Sequence, residues 1–331
     1  MERFALAAAV VLGFALTAAL CSLFVPLRRV LERREQNQQP VQPEQPRPVP
    51  LRAPLWGGLC AAAGTVAAVG VGWLAACVGQ PELLGSEGRL MTRLLTALAG
   101  SLAFGAVGLA EDLARMRSPA ALGLRRDVRL LLEALAAAFV LLLLQAAGCL
   151  PRGLDVPGAG YVLLGSAVPF LWAVLMVALA ECARIAERDE GTVCGAAFVA
   201  MLALMMAEAG LGVPGLAVLP AALAGALVAL LLWAFPPARL GVGCCGSLLA
   251  AGAIGCIPLS LDMTSLTVPL ALPFWAAGGL LAAQLLGAKR TGKPLRCWVK
   301  KHKMSPETVF LCSFALSAVG YVLALALLRW C

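Results

Sequence analysis

Apolar runs recur along the whole chain, divided by short stretches where Arg, Lys, Asp and Glu gather. They fall at about 4–26, 54–78, 93–110, 130–149, 160–180, 192–210, 212–234, 245–261, 267–287 and 308–328. Most approach the roughly 20 residues a helix needs to cross a bilayer. The pattern predicts an all-α polytopic membrane protein of about ten transmembrane helices, forming one integral membrane domain over 1–331. The sixth and seventh runs are parted only by the Gly-Val-Pro-Gly turn at 212–215, and the eighth is short and Gly-rich. The first run is too long for a signal peptide, and no small-x-small cleavage site precedes Arg28-Arg29, so it reads as a retained anchor.

Composition agrees. Hydrophobic residues make up 61% of the 331 and charged residues 13%, against about 25% charged in a soluble domain. A large soluble domain is excluded, and no nucleic-acid partner is expected. The formal charge of +8 reports orientation first. Twenty-one of the 26 Lys and Arg lie in loops following odd-numbered runs, leaving Arg3, Arg89, Arg93, Arg152 and Arg329 for the other face. Ten spans with this bias place those loops in the cytoplasm and both termini outside. Two of the loops stand out, a Pro-rich one at 28–53, expected to be extended and mobile, and a basic one at 289–306. The twelve cysteines contain no C-x-x-C pair, and a single histidine, His302, cannot build a multi-histidine metal site.

Ionisable groups at membrane edges are the first place to look for chemistry. Glu111-Asp112, followed by Arg115, closes the third run; paired carboxylates can hold Mg²⁺, or simply mark where a helix leaves the bilayer. Glu181, Arg184, Glu187, Arg188, Asp189 and Glu190 follow the fifth run. Helical spacing puts 181, 184 and 188 near one face, though a solvated loop laced with ion pairs reads the same way. Arg239-Leu-Gly-Val-Gly243-Cys244-Cys245-Gly246-Ser247 is a Gly-rich entry to a helix, able to offer backbone N–H groups to phosphate or to serve as a tight loop. The basic stretch around Trp298 and Lys300-Lys301-His302 suits anionic headgroups or a polyprenyl phosphate, or plain anchoring.

In this order, the clusters resemble the polyprenyl-phosphate sugar-1-phosphate transferases (glycosyltransferase family 4), above all the phospho-N-acetylmuramoyl-pentapeptide transferase branch. Arg52-Ala-Pro-Leu-Trp-Gly57-Gly58-Leu is similar to the family's G-T-P-T-M-G-G-L. Phe104 to Arg115 is similar to F-G-x-I-G-F-x-D-D-x-x-K, and Gly123 to Glu133 to G-L-x-x-x-x-K-L-L-L-Q. Pro237 to Ser247 is similar to P-A-x-x-F-M-G-D-x-G-S. The resemblance implies an enzyme that uses Mg²⁺ to move a phospho-sugar from a UDP-sugar onto a polyprenyl phosphate, releasing UMP, in cell-envelope synthesis. It implies a multi-pass protein of a bacterial-type plasma (inner) membrane, in contact with membrane lipids, and a homodimer. It further implies catalytic roles for Glu111, Asp112, Glu187 and Glu190. Substrate binding falls to Arg129, Glu181, Arg184, Arg188, Gly243, Gly246, Ser247 and His302, and metal binding to Asp112 and Cys244.

The departures gather at the chemistry. Glu111 replaces the first Asp of D-D, Cys244 replaces the Asp of G-D-x-G-S, and both asparagines of the family's N-x-x-N-x-x-D-G-x-D-G are absent, since the chain has one Asn, Asn37. A thiol is a soft ligand and a poor partner for Mg²⁺. Two readings follow, a divergent transferase and a catalytically silent paralogue that binds lipid-linked precursors or envelope-synthesis partners. Asp112, Glu111, Glu181, Arg184, Glu187, Glu190 and Cys244 are expected to converge on one cytoplasmic cleft.

Overall fold

The computed structural model describes residues 2–38, 56–79, 88–117, 123–151, 153–156, 160–163, 165, 167–187, 191–213, 215–236, 238–286 and 305–328. The helices are α1 (Glu2–Gln38), α2 (Gly57–Gly79), α3 (Gly88–Arg117), α4 (Arg126–Ala146), α5 (Ala167–Ala186), α6 (Thr192–Gly210), α7 (Val218–Ala234), α8 (Gly243–Ser260), α9 (Thr267–Leu270), α10 (Leu272–Leu286) and α11 (Pro306–Leu328). Seven of these contain stretches long and apolar enough to cross a membrane, and α7 is a shorter apolar helix. The chain is an all-α polytopic membrane protein.

Four local readings need correction. The helix begun by the first run continues to Gln38, because Leu, Arg, Glu and Gln are good helix formers; the segment from 28 to 38 is therefore helical rather than extended. α3 runs on to Arg117, so Glu111 and Asp112 lie inside a helix instead of at its end. The fifth run begins as a hairpin, in which β1 (Gly153–Val156) pairs antiparallel with β2 (Gly160–Leu163), and its helix starts only at Ala167. The ninth run follows a 3₁₀ turn at Thr264–Leu266 and is broken at Ala271 into α9 and α10. Pro269 and Pro273 supply no N–H and so sit in the first turns of short pieces.

The Gly-rich eighth run forms the centre. Every residue of α8 is buried, and α2, α3, α5 and α6 pack around it. Lipid offers no hydrophobic force between helices, so close backbone approach through small residues carries much of the association. At Gly108 a Cβ would overlap the backbone of Cys244, and at Gly58 it would overlap that of Gly246. The N–H groups of Gly57 and Gly58 donate to the carbonyls of Gly241 (3.2 Å) and Val242 (2.9 Å), partnering amides that the first turn of a helix cannot satisfy internally. Outward, α1 and α11 present Phe4, Val11, Leu311 and Val322 to the surroundings, an apolar surface suited to hydrocarbon.

Candidate functional site

Four helix ends meet on one side of the bundle: the last turns of α3 and α5 and the first turns of α4 and α8. They carry a compact network of charge. Glu111 and Arg115, one helical turn apart on α3, are joined by a 2.6 Å bond from Nη2 to Oε1. From α4, Arg129 reaches Glu111 (Nη1 to Oε1, 3.7 Å) and donates through Nε to Glu181 Oε1 at 2.7 Å. Arg184 donates to the other oxygen of Glu181. Arg115 Nη1 also lies 3.9 Å from Asp112 Oδ1 and 3.8 Å from Glu187 Oε2. Glu111, Asp112 and Arg129 are buried, where an unpaired charge is costly and mutual pairing is the remedy.

Asp112 ties this network to the centre of the fold. Its Oδ1 accepts from the N–H of Cys244 (3.0 Å) and its Oδ2 from that of Cys245 (2.8 Å). Both oxygens thus face the first turn of α8, whose free amides and positive dipole end favour an anion. The Cys244 thiol points to Glu187 Oε2 at 3.9 Å. Gly243 adopts φ +73°, the left-handed conformation that lets the chain turn into α8. Gly246 is buried against Gly58, and the buried Ser247 hydroxyl donates to the Cys244 carbonyl at 3.1 Å.

The structure therefore brings Glu111, Asp112, Glu181, Arg184, Glu187, Arg129 and Cys244 together. Arg188, Glu190 and His302 lie outside the described residues, as do the Pro-rich stretch from 39 to 55 and most of the basic loop. Two members of the network were not singled out from sequence as site residues, Arg115 and Glu133. Glu133 is fully buried, one turn beyond Arg129, with Oε1 3.9 Å from Arg129 Nε and neither oxygen hydrogen-bonded. Both show the i, i+4 spacing to an opposite charge that would have flagged them.

The donor set does not fit the divalent cation implied by the resemblance. Both oxygens of Asp112 are engaged by amides, Glu111 Oε1 is held by Arg115, and Cys244 offers sulfur where Mg²⁺ requires oxygen. Among the described residues, no group of three or more His, Cys, Asp or Glu is arranged to hold a metal ion.

The model of a protein family described as Glycosyl transferase family 4 matches residues 94–262, just over half of the chain. That span contains every charged residue of the network. A phospho-N-acetylmuramoyl-pentapeptide-transferase of Mycobacterium bovis (strain BCG / Pasteur 1173P2) is 28% identical over 265 residues, covering 72% of each chain. The protein of that name from Synechococcus sp. (strain RCC307) is 30% identical over 63% of this chain and 55% of its own. The one from Desulforudis audaxviator (strain MP104C) is 32% identical over 48% of this chain and 50% of its own.

Proposed function

The chain belongs to glycosyl transferase family 4, and from that premise we propose that it works on the substrates of phospho-sugar transfer in cell-envelope synthesis, a UDP-sugar and a polyprenyl phosphate, in the plasma membrane of a bacterial-type cell. One observation carries the reading. Asp112 of α3 and Cys244 of α8, which stand in the two acidic motif positions, touch each other and gather Glu111, Arg115 and Glu187 around them.

In this reading a polyprenyl phosphate oxygen attacks the sugar-bearing phosphorus of the UDP-sugar. The bond from that phosphorus to the bridging oxygen breaks, and UMP leaves with the bridging oxygen and its electron pair. The lipid emerges as a diphospho-sugar. The guanidiniums of Arg115, Arg129 and Arg184 supply the positive charge that phosphate oxygens need, for which planar forked donors are suited. Arg184 Nε is buried with no hydrogen-bond partner, a donor open to an incoming oxygen. Glu187 accepts the proton of a singly charged lipid phosphate. Asp112 positions α8 and does not act as the base, since both its oxygens are engaged.

A second reading, binding of the same ligands without turnover, is favoured by Cys244, which removes a hard acid from the site. Purified protein in polyprenyl-phosphate micelles distinguishes the two. UMP release from a UDP-sugar establishes transfer. Saturable binding of either ligand without UMP establishes the silent form. Neither binding nor release would contradict both.

A further inference from the structure

We propose that the guanidinium of Arg115 is a built-in cation standing where a divalent ion would have to sit, so that this site has no place for Mg²⁺. The inference rests on the family reading only for where the metal-associated motifs fall, and not on turnover.

The groups facing that point come from three helices or their ends. Arg115 Nη2 is 2.6 Å from Glu111 Oε1, and Nη1 lies between Asp112 Oδ1 (3.9 Å) and Glu187 Oε2 (3.8 Å). Cys244 Sγ closes the ring, 3.9 Å from the same Glu187 oxygen. One cationic head is thus surrounded by three carboxylates and a thiol. A magnesium ion drawing on these acids would need their oxygens at about 2.0–2.1 Å and near-octahedral. Each Asp112 oxygen already accepts an amide of α8, so an ion would have to share it.

Charge leads to the same answer. Three carboxylates around one point call for a cation of some kind in a setting where Glu111 and Asp112 are almost wholly buried. The chain supplies it from its own helix, since Arg115 follows Asp112 by three residues and Glu111 by four, the spacings that place side chains on one face. A covalently attached cation is present at fixed occupancy, and a free ion must displace it to enter. Substituting the soft thiol of Cys244 for a hard acid removes the remaining incentive.

Paramagnetic Mn²⁺, competed by Mg²⁺, tests this on the purified full chain in detergent, read as the bound fraction by electron paramagnetic resonance. The wild type is expected to show no saturable site up to millimolar Mn²⁺. Cys244→Asp alone is expected to bind at least tenfold more weakly than Cys244→Asp combined with Arg115→Gln. A stoichiometric, Mg²⁺-displaceable Mn²⁺ on the wild type would overturn the proposal, whatever the variants do. So would a folded Arg115→Gln double variant that binds no more tightly than Cys244→Asp. Because the readout is ion binding, it separates failure of this inference from failure of the transferase reading, which UMP release decides.

Discussion

The carboxylate of Asp112 and the backbone amide of Cys244 lie 3.0 Å apart across 132 positions of sequence. With the neighbouring bond from Cys245, this contact fixes the central helix α8 to the end of α3. An ionised acceptor at a buried helix start contributes about 1.5–3 kcal/mol per bond before compensation. Asp112→Ala is therefore expected to destabilise by about 2–4 kcal/mol, and Asp112→Asn by less, because one amide oxygen still accepts. Thermal unfolding in detergent checks both. An unchanged midpoint for Asp112→Ala would show that the clamp is dispensable.

Helix approach gives a paired prediction. Gly108 has no room for a Cβ against the Cys244 backbone, whereas Gly70, on the exposed side of α2, has nothing within 4 Å of one. Gly108→Ala is expected to cost about 1–3 kcal/mol through overpacking. Gly70→Ala is expected to gain about 0.5–1 kcal/mol from the restricted backbone. Equal midpoints for the two would contradict the packing described.

Two of the three acids facing Arg129, the half-buried Glu181 and the buried Glu133, are not equivalent. Glu181 joins Arg129 and Arg184 through direct hydrogen bonds, so Glu181→Gln weakens two charge-assisted bonds at once, a loss of about 1–3 kcal/mol. Glu133 is buried with no hydrogen-bond partner, and the family motif it resembles has Gln there. Glu133→Gln is expected to be neutral or mildly stabilising in the same unfolding assay. Reversal of that order would mean that the Arg129–Glu133 pair carries the site.

Much of this was legible in the sequence, and the reasons are physical. Apolar length alone located the helices from α1 to α8, and the order of Glu111-Asp112, Arg129, Glu181 and Gly243–Ser247 pointed to a single site. Helix ends were harder. Charge was read as the membrane boundary, yet α3 carries Glu111 to Arg117 in continuous helix, because neighbouring helices pair those charges. The use of Asp112 was hidden as well. A carboxylate inviting a metal and one capping a distant helix look identical until α3 and α8 are seen to cross at Gly108.

The uneven division of basic residues gives an expected orientation that is open to direct reading. A reporter fused after Cys331 is expected to be extracytoplasmic, with alkaline phosphatase active and a fluorescent protein dark. Fluorescence there would imply an odd number of spans and move the charged network to the wrong face for a nucleotide-sugar.

We propose that guanidinium groups hold phosphate at this site in place of a divalent ion. Binding of polyprenyl phosphate to the wild-type chain in nanodiscs, titrated in EDTA and again in excess Mg²⁺, tests it most directly. The expected result is saturable binding of equal affinity in both conditions, weakened at least tenfold by Arg184→Gln. Binding that appears only with Mg²⁺ would contradict the account.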